Sequence, residues 1–179
     1  MDEQPTEKRR NLFEWFQALV FALAVVMFLF TFVFKVVSIE GPSMLDTLHD
    51  GDRVVVSQLF YDPQPGDVVV FASPRFEENK PLIKRIIATE GQTVNIDYEQ
   101  GVVYVDGVAL NETYDFTKTN LDGGITLPLT VPEGEYFVMG DNRNGSKDSR
   151  FLSIGTIKRS EIVGKAVLRV FPFQSIKVI

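Results

Sequence analysis

The chain has 179 residues, 45% of them hydrophobic, with no Cys, one His, and 18 Lys and Arg against 24 Asp and Glu for a net charge of −6. The lack of Cys excludes disulfides and thiol nucleophiles, and a single His leaves no basis for a His-rich metal site. Basic and acidic residues cancel, four against four, before position 39, so the acidic surplus belongs to the rest of the chain and disfavours nucleic-acid binding.

The first predicted element is apolar. Trp15 to Phe34 carries no charged residue, and its 20 residues at about 1.5 Å rise span about 30 Å, the thickness of a bilayer hydrocarbon core. Lys8, Arg9 and Arg10 precede it, whereas after Lys35 no Lys or Arg occurs until Arg53. The positive-inside rule therefore puts the N-terminus in the cytoplasm. A cleavable secretory signal would have a shorter apolar region of about 7 to 15 residues and a small-residue cleavage site; here Lys35-Val36-Val37-Ser38 follows. The expected organisation is a cytoplasmic stretch over 1–14, a transmembrane anchor over 15–37 and an extracytoplasmic domain over 38–179.

The outer domain reads as strands and turns. Runs rich in Val, Ile, Phe and Tyr occur at 53–58, 67–72, 82–88, 93–97, 102–105, 136–139 and 162–170, separated by Gly, Pro and Asp clusters. Asp106-Gly107 between Val105 and Val108 is a two-residue hairpin signal. No stretch after residue 50 keeps helical periodicity for three turns, so the expected fold is mainly β, a barrel-like or sandwich-like body. Residues 110–135 lack alternation and read as an excursion or small subdomain.

Three stretches stand out chemically. Ser43 follows Gly41-Pro42 in a turn-prone segment, where a turn or helix cap is the ordinary role of such a serine and Asp46 mimics a capping box. Lys84 lies in an extended run in which Leu82, Lys84, Ile86 and Ala88 share one face. Burial among such neighbours lowers a lysine pKa by up to about 3 to 5 units, enough for a general base; a lysine guarding an edge strand is the structural alternative. Lys80, beside Glu77, Glu78 and Pro81, belongs to a wet loop. Residues 140–150 are dense in Gly, Asn, Asp and Arg, as in a tight turn held by hydrogen bonds and ion pairs. A calcium loop fits poorly, because Arg143 and Lys147 intrude and the glycine is misplaced. His49 has no evident acidic partner.

Glu40-Gly41-Pro42-Ser43-Met44, Gly51-Asp52-Arg53-Val54-Val55-Val56, Pro65-Gly66-Asp67-Val68-Val69-Val70-Phe71, Lys84-Arg85-Ile86-Ile87-Ala88 and Gly140-Asp141-Asn142-Arg143-Asn144 through Ser149-Arg150 occur in this order. Together they resemble the type I signal peptidases, in the compact single-anchor form typical of Gram-positive bacteria, over about residues 12 to 172. The resemblance implies a membrane-bound serine endopeptidase that removes signal peptides from exported preproteins at the outer face of a bacterial plasma membrane. Substrates would carry small side chains at the first and third positions before the cut, and no metal or organic cofactor is implied. Ser43 would be the nucleophile and Lys84 the general base. Ser146 would orient Lys84, Asp148 and Arg150 would brace the site with support from Arg85, and Met44 would shape the substrate pocket. The Ser43 N–H would supply one oxyanion donor, while Gly41 stands where some relatives carry a second, side-chain donor. Asp46 replaces the family's usual proline; a carboxylate there would oppose base catalysis if it reached Lys84, and it is expected to point away. Two other readings share these features: an inactive relative that binds or scaffolds secreted proteins, and a self-cleaving serine/lysine protease, which the transmembrane segment argues against.

Overall fold

The computed structural model describes residues 5–45, 47–58, 61–75, 80–112 and 118–179. The chain divides into two compact units, Met1–Lys35 and Val36–Ile179.

The first unit is dominated by a helix, α1 (Pro5–Phe32). Proline suits the first helical position, where its missing N–H has no intrahelical acceptor to serve. From Trp15 onward the side chains are almost all apolar, on every side of the helix, and uncovered; Trp15, Phe21 and Met27 are 76%, 72% and 69% exposed. Arg10–Phe32 has a hydropathy of 2.2 and is long and apolar enough to cross a membrane. Helix ends before the expected anchor does. Val36 and Val37, assigned to the anchor by hydrophobicity, lie in strand β1 (Phe34–Ser38), whose β-branched pair favours extended backbone.

The strands that follow are β2 (Arg53–Ser57), β3 (Val68–Phe71), β4 (Leu82–Thr89), β5 (Thr93–Asp97), β6 (Val102–Val105), β7 (Val108–Ala109), β8 (Leu129–Thr130), β9 (Glu135–Met139), β10 (Ile157–Lys158), β11 (Ile162–Phe171) and β12 (Lys177–Val178). One antiparallel sheet has the order β1-β2-β11-β3-β4-β9-β10, with β12 against β11; a smaller sheet has the order β7-β6-β5-β8. Burial follows position. β2, next to the edge strand β1, buries Val54 and Val56 and leaves Arg53 exposed, whereas β3, in the middle of the sheet, is buried at all four residues. Register irregularities along β11 and between Ile86 and Ala88 of β4 bend the large sheet into a curl.

Asp106 and Gly107, at φ 52° and 78°, close the β6–β7 hairpin, with Val105 opposite Val108. Part of the 110–135 excursion is sheet: β8 pairs with β5, and Gly124 bridges Phe151. Among the described residues, three apolar clusters support the body. The one that matters for the site joins Met44 and Leu48 to Val54 and Val56 of β2, Val68 and Val70 of β3, and Ile83 of β4. Each such buried side chain contributes about 1.5–3 kcal/mol.

Candidate active site

Strand β4 carries two adjacent cations in the interior of the large sheet. Lys84 faces Val69 of β3, and Arg85 lies between Val68 of β3 and Met139 of β9. With strands on both sides, edge protection no longer explains Lys84. Its side chain is buried, Nζ donates to the Ile83 carbonyl at 2.8 Å, and Nζ lies 2.8 Å from Ser43 Oγ. Burial pulls the amine down from 10.5 to about 8, against the opposing pull of Asp148 and then Asp141. No carboxylate forms an ion pair with it among the described residues. At neutral pH about a tenth of such an amine is uncharged.

Ser43 sits on the β1–β2 connection, which is pinched at its neck: Ile39 N–H donates to the Asp52 carbonyl at 2.8 Å and Gly51 N–H to the Ile39 carbonyl at 3.0 Å. Inside the loop Gly41 takes φ +82° and donates its N–H to Asp50 Oδ1 at 2.8 Å. Met44 and Leu48 are fully buried and joined by a Leu48 N–H to Met44 carbonyl bond of 2.8 Å, so two apolar plugs fix the turn that presents Ser43. A groove of about 240 Å³ runs along Val37, Ile39, Val70, Leu82 and Ile83, with Ser43 and Lys84 in its wall.

Because β9 ends at Met139 opposite Arg85, the residues that follow emerge beside that guanidinium. Arg85 grips Asp141 at two points, 2.9 and 2.7 Å, and donates to the Gly66 carbonyl at 2.8 Å. Asp141 also accepts the Thr47 hydroxyl at 2.6 Å, tying the Ser43 loop to the same pair. Asp148 and Arg150 form a second two-point pair, 2.8 and 2.9 Å, and Asp148 accepts the Gly140 N–H at 3.0 Å. A third pair joins Arg143 to Glu112, and the guanidinium also donates to the Thr119 hydroxyl and the Gly140 carbonyl. Arg143, Arg150, Asp141 and Asp148 have no exposed surface. Breaking one such pair strands a buried charge at about 3–5 kcal/mol.

Three of the expected site residues, Ser146, Met44 and Gly41, sit as follows. Ser146 is buried, but its Oγ has no hydrogen-bond partner among the described residues, and Lys84 uses the Ile83 carbonyl instead. A Cβ on Gly140 would lie 2.3 Å from that Oγ and 2.4 Å from the Ser43 carbonyl oxygen, so Ser146 packs against bare glycine beside the Ser43 backbone. Met44 lies in the core with Ile39, Val70 and Ile83, which line the groove in its place. Gly41 has its N–H committed to Asp50 and is not part of the groove wall. His49 is exposed, and Asp46, Glu77 and Glu78 lie outside the described residues. Sequence reasoning gave no role to Thr47, Asp141, Arg143 or Glu112. The first three stand in or near flagged motifs; Glu112, in the excursion, carries no local signal.

A family model described as "Signal peptidase, peptidase S26" matches residues 12–171. The chain is 34% identical to a signal peptidase I of Bacillus licheniformis, over 98% of this chain and 97% of that protein. It is 40% identical to a probable signal peptidase I-1 of Synechocystis sp., over 86% and 80%. A crystal structure of a signal peptidase I from Enterococcus faecalis V583 is 32% identical, with a TM-score of 0.47 over 60% of this chain and 98% of that one. By this match over most of its length, the chain belongs to the type I signal peptidases, family S26.

Proposed function

We propose that this signal peptidase works as a membrane-tethered serine/lysine endopeptidase, with Ser43 as nucleophile and Lys84 as general base. The observation that carries the reading is the 2.8 Å contact between Lys84 Nζ and Ser43 Oγ, with the amine buried and its pKa lowered to about 8. Uncharged Lys84 takes the Ser43 proton as Oγ attacks the scissile carbonyl, and the resulting ammonium protonates the leaving amine. Water then attacks the acyl-enzyme with Lys84 again as base, releasing the second product and restoring Ser43. The Ser43 N–H stabilises the developing oxyanion; such a donor is worth about 100- to 1000-fold in rate. The pairs Asp148–Arg150 and Arg85–Asp141 hold the surrounding backbone, and Ser146 packs beside it.

The substrates are exported preproteins. A groove of about 240 Å³, walled mainly by Val, Ile and Leu with Glu40 and Lys80 also lining it, suits small side chains near the cut. The apolar helix, from Trp15 to Phe32, holds the enzyme in the bacterial plasma membrane, with 1–14 cytoplasmic and the β domain outside. Enzyme and substrate then meet on one surface, which raises their effective concentration.

The test is cleavage of a preprotein by the full chain in detergent. Specific cleavage by the parent and none by Ser43→Ala or Lys84→Ala supports the dyad. Cleavage that survives Lys84→Ala but is lost in His49→Ala reassigns the base, and stable binding without cutting supports a scaffold.

A further inference from the structure

Two glycines of the 140–150 loop are glycine for want of space, and both bear on how residue 142 meets the Ser43 loop. Neither Gly140 nor Gly145 adopts a left-handed φ. A Cβ on Gly145 would meet Asn142 Nδ2, Cγ and Oδ1 at 2.4, 2.9 and 3.0 Å, three atoms of one carboxamide. That carboxamide lies across the bare glycine and donates from Nδ2 to the Pro42 carbonyl at 3.1 Å. The Asn142 backbone N–H donates to the Ser43 carbonyl at 3.1 Å, an approach that Gly140 permits by having no Cβ. The Pro42 oxygen also accepts the Leu45 N–H at 3.2 Å, so both its lone pairs are engaged.

The peptide between Pro42 and Ser43 is trans and planar, so its C=O and N–H point in opposite directions. Fixing the oxygen therefore fixes where the Ser43 N–H points. That N–H donates no hydrogen bond among the described residues. Gly41 offers no side-chain donor and its own N–H is held by Asp50, so the aim of the Ser43 N–H matters more here.

We propose that Asn142 is a positioning residue that aims the Ser43 N–H at the oxyanion, and that Gly145 seats its carboxamide. The inference rests on the reading of Ser43 as nucleophile. It also accounts for an Asn in this position: a side chain that donates to a carbonyl without bringing a charge near Lys84.

Asn142→Ala, Gly145→Ala and the double variant are compared with the parent in preprotein cleavage, and by affinity for a peptide aldehyde whose hemiacetal with Ser43 puts an oxygen in the oxyanion position. Asn142→Ala leaves the donor present but less well aimed, so kcat falls by about tenfold, short of the loss for removing a donor, with KM within about twofold. Aldehyde affinity falls by a similar factor. Gly145→Ala gives the same pattern, because its new methyl displaces the carboxamide. In the Asn142→Ala background Gly145→Ala costs less than about twofold more, since the atoms it struck are gone. An unchanged kcat, a loss confined to KM, or multiplying losses in the double variant overturns the proposal, and the last of these separates positioning from general damage to the loop. Ser43→Ala, run alongside, separates the two readings. Retained cleavage there removes the nucleophile assignment and this inference with it; lost cleavage with unaffected Asn142 variants removes this inference alone.

Discussion

Lys84 and Arg85 are consecutive residues of one interior strand, both buried, in opposite electrostatic surroundings. Arg85 meets a carboxylate at two points, as Arg150 and Arg143 do in the loop beyond β9. Lys84 meets a hydroxyl, a carbonyl and an apolar groove. Desolvation acts on both cations, and the counter-charge decides the outcome. With a partner the charge stays and becomes a rigid strut; without one the proton is loosened and the group turns into a base. Alternation along the strand sends neighbouring side chains to opposite faces, so the two environments sit side by side.

The contrast can be broken at Lys84 itself. Lys84→Arg puts a guanidinium, which cannot be deprotonated in proteins, where a neutral amine is required. Preprotein cleavage is expected to fall by about 10⁴-fold or more, the scale seen when a member of a catalytic unit is removed. Substantial residual cleavage would mean that proton removal does not pass through residue 84.

On the strut side, Asp148→Asn leaves the Arg150 guanidinium buried without its counter-charge. The expected loss is about 3–5 kcal/mol, read as a drop in Tm of roughly 10 °C for a domain of this size. The same change removes the larger of the two carboxylate influences that raise the Lys84 pKa, so the limb along which activity rises with pH should move to lower pH. A loss below about 1 kcal/mol would show that the pair does not work as a strut.

A smaller effect sharpens the comparison. The folded pKa of Lys84, about 8, lies below its ordinary 10.5, so the ammonium costs the folded state stability below pH 8, and the cost disappears as pH rises through 10.5. Lys84→Met should therefore be inactive yet more stable by about 1–3 kcal/mol at pH 7, a gain that fades toward pH 10.5. Chemical denaturation at both pH values measures it, and a destabilised variant would contradict the cost of burial. The smallest effect is expected at Asp46→Asn. If Asp46 is turned away from Lys84, the apparent base pKa stays where it is in the parent; a large downward shift would show that the carboxylate reaches the amine.

Strand identity was largely legible because each strand has a strong local pattern, as in Val68-Val69-Val70-Phe71 or the Asp106-Gly107 turn. The two-residue strands β8, β10 and β12 were not legible, since so short a pairing is set by its neighbour and not by its own pattern. β1 was hidden in the apolar tail of the anchor. At the site, Ser43 and Lys84, which lie 2.8 Å apart, were singled out by local sequence but given their roles only by family resemblance. The contacts of Ser146, Met44 and Gly41 were not readable, because they depend on where Gly140, Ile83 and Asp50 fall in space. Glu112 could not be found at all, because nothing near it announces the buried Arg143 it meets 31 positions later.

The claim that a dry, unpaired lysine drives this chemistry is tested most directly by the pH dependence of kcat/KM for preprotein cleavage, run in parallel on the parent and His49→Ala. Both should rise along one limb with an apparent pKa near 8. A limb near 6.5, the ordinary histidine value, that disappears in His49→Ala would contradict it, as would a limb only near 10.4, the value of a lysine in water.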